Sequence, residues 1–150
     1  MKRLTRIAIL SWSLGVASVM ATAPAFAEKW PMVAGDFWDV TGIHLKDGGS
    51  LGYATFLAGE WRANQEFAKS KGWIKGYTVL SNNYPREGEP DLYLITITDR
   101  LVTGAEGEKR SDEYMEWRKK SLSQMQKESG DRVEIREVGG NLLLQELTFR

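Results

Sequence analysis

The sequence predicts an α+β domain, an antiparallel sheet with two helices packed on one of its faces. Three observations predict it. The hydrophobic period switches between strand-like and helix-like stretches in the order strand, helix, strand, strand, helix, strand, strand. Glycine- and proline-bearing punctuation falls at most of the switches. Strand candidates carry apolar residues on both faces, as strands of a covered sheet do.

The first strand is expected over Asp36–Lys46. Trp38, Val40 and His44 share one parity; Phe37, Thr41, Ile43 and Leu45 share the other. Asp47-Gly48-Gly49-Ser50 ends it in a turn. From Leu51 to Lys71, Tyr53, Phe56, Leu57, Trp61, Asn64, Phe67 and Ala68 recur at three and four, an amphipathic helix closed by Gly72. Trp73–Asn82 and Leu92–Thr98 are strands joined by the proline-bearing loop Tyr84–Pro90, which cannot sit in a central strand. Leu101–Arg110 is polar and reads as a surface loop. Ser111, followed by Asp112 and Glu113, marks a helix start, and that helix runs to about Glu128 before Gly130. Arg132–Val138 and Asn141–Phe149 form strands around Gly139-Gly140, a hairpin or a bulge. The layout is the split βαβ, ferredoxin-like one, with its last strand doubled: βαββαβ(β). Trp61 and Trp117, at helical spacing, are expected in the core.

Ahead of this domain stands a leader. Lys2, Arg3 and Arg6 precede an apolar run from Ile7 to about Met20, and Ala25-Phe26-Ala27 supplies a small-x-small end. These are the parts of a secretory signal peptide, with cleavage expected before Glu28. The run is shorter than the ~20 residues of a spanning helix and is diluted by Ser11, Ser13 and Ser18. The expected division is therefore 1–27 signal and 28–150 one domain, delivered by a bacterium to the periplasm or the medium, with no membrane attachment after cleavage.

Composition excludes several chemistries. The 150 residues include no cysteine, which removes disulfides, thiolate metal sites and cysteine nucleophiles. One histidine rules out a three-histidine zinc centre and leaves a single imidazole base. Basic and acidic residues number 20 each, and the leader removes three basic residues and no acidic ones. The remaining slightly acidic chain has no basic block, so nucleic acid is not an expected partner. Glu87-x-Glu89-x-Asp91 falls short of a calcium loop's ligand set, and Gly48-Gly49-Ser50-Leu51-Gly52 lacks a P-loop's spacing and lysine. No metal site and no cofactor are expected.

From Asp36 to Phe149 the order of elements resembles the dimeric α/β-barrel superfamily. Within it, the run Tyr53–Trp73 followed by Ile74–Asn82 is similar to small exported bacterial proteins. The resemblance implies a homodimer, in which a second sheet covers the face that two helices leave open. Members range from cofactor-independent monooxygenases and isomerase-like enzymes to haem proteins. The haem-degrading members place a histidine ligand on the second helix; Ser111–Glu128 has none.

His44 is the candidate general base or ligand donor, since imidazole titrates near neutral pH. Trp38, Tyr77 and Tyr93 are candidates for lining a pocket that takes a small apolar or aromatic molecule. Each also has a plain packing role available, His44 near a strand end and the aromatics at an interface. Three functions follow: binding of such a molecule without transforming it, a cofactor-independent monooxygenase or isomerase using His44, or an interaction protein with a filled barrel.

Overall fold

The computed structural model describes residues 28–150. The expected signal peptide lies outside the described residues. Strand β1 (Met32–Leu45) leads into α1 (Ser50–Phe56), which continues without a break through a π-helical turn (Leu57–Trp61) into α2 (Arg62–Ser70). Then come β2 (Gly76–Ser81), β3 (Leu92–Thr98), α3 (Gly104–Arg118) and α4 (Leu122–Asp131). A 3₁₀ turn (Arg132–Glu134) precedes β4 (Arg136–Phe149). The sheet order is β2-β3-β1-β4, with every neighbouring pair antiparallel. This is an α+β domain of the ferredoxin-like type. Among the described residues no helix is long and apolar enough to cross a membrane.

The last strand is single, not doubled. Between the pairs Thr41↔Asn141 and Ile43↔Val138, β4 advances three residues while β1 advances two. Gly139 and Gly140 are thus a bulge inside one continuous strand. A Cβ on Gly139 would sit 3.0 Å from the His44 imidazole, which explains a glycine at this kink.

The second helical region departs further from expectation. Helix α3 starts at Gly104, so most of the expected Leu101–Arg110 loop is helical. Arg100 and Arg110 both grip Glu106, which holds a glycine-bearing polar segment in the helix against its weak propensity. The helix ends at Lys119, which takes a left-handed conformation (φ 52°). Ser121 then starts α4 with a reciprocal capping box with Gln124, and Gly130 lies inside α4. At Gly72 expectation and structure agree: φ is +68°, the conformation glycine adopts without strain.

The core sits between the sheet and the α1–α2 helix. Ile43, Tyr53 and Leu94 are its buried centre, with Leu45, Phe56, Leu57, Trp61, Leu92 and Ile135 packed around them. Trp117, expected in the core, is 41% exposed instead. It lies in the contact between α3 and α2, with one ring face covered by Phe67. Gly49 stands where the turn after β1 meets the backbone of Ile135; Lys46 N–H donates to the Ile135 carbonyl at 3.1 Å. A side chain at Gly49 would run into that carbonyl.

Candidate functional site

The strand ladders divide the sheet into two faces. Register places Trp38 beside Ile97 and Leu144, Val40 beside Ile95 and Leu142, and Leu80 beside Tyr93. By alternation these residues share the face away from the helices, together with His44. Tyr77 pairs with Thr96 and faces the helices. The structure therefore brings Trp38, His44 and Tyr93 to one face and sets Tyr77 on the other.

On the helix-free face, His44 and Tyr93 line a common cleft of about 230 Å³ with Val40, Gly42, Pro90 and Leu142; Trp38 is outside it. Ligand pockets usually run from ~300 to ~1,000 Å³, so this cleft is small. The loop before β3 forms its wall: a Cβ on Gly42 would come within 2.5 Å of the Pro90 ring. Asp91 anchors that loop, accepting the Leu45 N–H at 2.7 Å. Its neighbour Glu89 accepts the Arg86 N–H at 2.9 Å, and that contact lowers its pKa. Among the described residues His44 has no carboxylate in salt-bridge range.

A larger space opens on the helix side. A groove of about 690 Å³ runs between α1, the π-turn and the edge strand β2. Its walls are Leu45, Ala54, Leu57, Ala58, Trp61, Val79 and Leu92, with Ser50, Arg62, Tyr77 and Thr78 adding polar atoms. Two local features make the room. Ala54 and Ala58, one helical turn apart, present only methyl groups. The π-turn widens the helix there, and such turns recur at functional sites. Trp61 meets Tyr77 edge to face, centroids 5.4 Å apart and planes at 83°, which closes one end of the groove. Beyond that end the Tyr77 hydroxyl donates a hydrogen bond to Glu66. This bond, then burial, pushes the Tyr77 phenol above its ordinary range, while the nearby Arg62 charge pulls the other way.

Trp61 also borders a second space of about 630 Å³ between the α1–α2 helix, α3 and α4. Charge fills its margin. Arg118 reaches Asn64 at 2.9 Å, Glu60 at 3.2 Å and Glu128 at 3.6 Å, and the Arg132 guanidinium lies 4.1 Å from the Phe56 ring centroid. These contacts tie three helices together, a structural job that uses most of the polar groups present.

Sequence reasoning missed the groove. It read Trp61 as core and passed over Ala54, Ala58 and Arg62. The available signal was the alanine pair at i and i+4, a thin stripe on the face of a helix that otherwise buries large residues. The site thus stands on its own geometry: no protein-family model, no curated protein and no solved structure matches this chain.

Proposed function

We propose that this chain is an exported binding protein, a homodimer of the dimeric α/β-barrel kind, that holds a small apolar or aromatic molecule in the groove between α1 and β2. The observation that carries the reading is the groove: about 690 Å³, walled almost wholly by apolar side chains and roofed by a π-turn. That volume suits a one- or two-ring molecule, and burial of its apolar surface supplies the binding energy. The homodimer is supported by the other sheet face. Leu80, Leu142 and Leu144 are each about half exposed there, around Val40 and Ile95, which are buried within the chain itself, and exposed leucines on a sheet face favour a second layer.

The test is titration with N-phenyl-1-naphthylamine, a neutral aromatic probe that brightens in apolar surroundings. Saturable binding is expected. Ala58→Trp, which fills the groove, should weaken it at least roughly tenfold, a change of ~1.4 kcal/mol. His44→Gln should leave it unchanged. Absence of saturable binding, or indifference to Ala58→Trp, would overturn the assignment. Loss of affinity in His44→Gln alone would move the ligand to the His44–Tyr93 cleft.

A further inference from the structure

We infer that the molecule held in this groove is an amphipathic monoanion, a carboxylate carried on an apolar ring or chain, with Arg62 as its counter-ion. The inference rests on the proposed use of the groove as a ligand site, and it names the chemical class of that ligand.

Arg62 lies at the start of α2, lines the groove and is exposed. Among the described residues it has no salt-bridge partner. The acid best spaced to pair with it is Glu66, one turn further along the same helix. Glu66 is engaged elsewhere, accepting the Tyr77 hydroxyl from across the gap to β2. Nearby in the chain, Lys71 pairs with Glu113 at 2.9 Å and Lys75 with Asp36 at 2.6 Å. Among the described residues Lys69 on the same helix is in no salt bridge either, but Arg62 is the cation that lines the groove. A guanidinium with no salt-bridge partner among the described residues therefore borders a space whose remaining walls are mostly apolar, with Ser50, Tyr77 and Thr78 as the other polar residues. Its planar fork suits a carboxylate, which it can hold through two parallel N–H···O bonds. The apolar body of the same molecule would lie against Leu57, Ala58 and Trp61. Arg62 offers a single positive charge and is the only charged residue lining the groove among the described residues, hence a monoanion.

The test displaces N-phenyl-1-naphthylamine with two isosteric competitors, 1-naphthoate and 1-naphthamide. In the unmodified protein the carboxylate should compete roughly fivefold to tenfold better than the amide, the range open to an ion pair at a groove rim. Arg62→Gln should bring the two to parity, each competitor being referred to that variant's own affinity for the neutral probe, and Arg62→Lys should keep part of the preference. Raising salt from about 0.05 to about 0.5 M should shrink the preference in the unmodified protein and in Arg62→Lys, and leave Arg62→Gln unmoved. Equal competition in the unmodified protein, or a preference that survives Arg62→Gln, would overturn the inference while leaving the groove assignment intact. If the neutral probe does not bind at all, the groove assignment fails and the inference falls with it.

Discussion

The ring of Phe67 on α2 stacks on the indole of Trp117 on α3, with centroids 4.3 Å apart and planes inclined by 15°. Phe67 also meets Trp73 edge to face at 5.3 Å and Tyr114 at 6.1 Å, so one side chain joins two helices to the segment entering β2. Removal of that hub should be costly. Phe67→Ala is expected to lower unfolding stability by about 2–3 kcal/mol, below the cost at a fully enclosed site because Phe67 is only half-buried. Phe67→Leu should recover about half of it. Urea unfolding followed by tryptophan fluorescence measures both, and a loss under ~1 kcal/mol for the alanine variant would show that α3 is held by other contacts.

Acid should loosen α3 at its first turn. Hydrogen bonds from Arg100, and then Arg110, hold the Glu106 carboxyl down to about 2, against 4.5 for an ordinary glutamate. The unfolded chain therefore takes up this proton first as pH falls. The stabilisation from the Arg100–Glu106–Arg110 clamp is complete above about pH 4.5 and is lost progressively toward pH 2. Thermal melts between those limits should show a shallower pH dependence in Glu106→Gln than in the unmodified protein. Parallel slopes would mean that the clamp contributes nothing to folding.

Two glycines of the first helical region should respond oppositely to alanine. Gly49 has ordinary right-handed backbone angles, yet a methyl group there collides with the Ile135 carbonyl, which belongs to the backbone and cannot swing away. Gly49→Ala should destabilise by about 1–3 kcal/mol. Gly59, in the π-turn, has open space where a methyl group would project, so Gly59→Ala should stabilise by about 0.5–1 kcal/mol through the unfolded state. Chemical denaturation of the two variants side by side checks the sign of each.

The proposed homodimer predicts a concentration-dependent mass. Light scattering should give twice the chain mass at micromolar concentration. Leu144→Glu, on the helix-free face, should give a monomer that keeps its far-ultraviolet circular dichroism. A monomeric unmodified protein would remove the second copy as the cover of that face.

Local chemistry explains the elements that are legible in the sequence. Leu92–Thr98 is bounded correctly because its β-prone run of leucine, tyrosine, isoleucine and threonine sits between proline and polar breaks. The Leu51–Lys71 helix is legible from its period, and its closure at Gly72 from the need for a positive φ. The first turns of α3 are not legible. Gly104 and Gly107 argue against a helix, and the compensating grip of Arg100 on Glu106 comes from outside the helix. The bulge at Gly139-Gly140 looks equally like a hairpin in the sequence, because only the pairing with β1 distinguishes the two.

The candidate site divides the same way. Strand alternation in the sequence determined that Trp38 and His44 share a face, since side-chain direction repeats every second residue. It also determined the class of fold, through the order of its periods. Only the tertiary structure decided that Tyr93 joins His44 while Tyr77 turns to the helices, because register between strands depends on long-range pairing. Only the tertiary structure decided, too, that Ala54 and Ala58 face an edge strand across open space. Small side chains leave a groove when the opposing surface is held away from them, and packing of Trp61 against Tyr77 sets that distance.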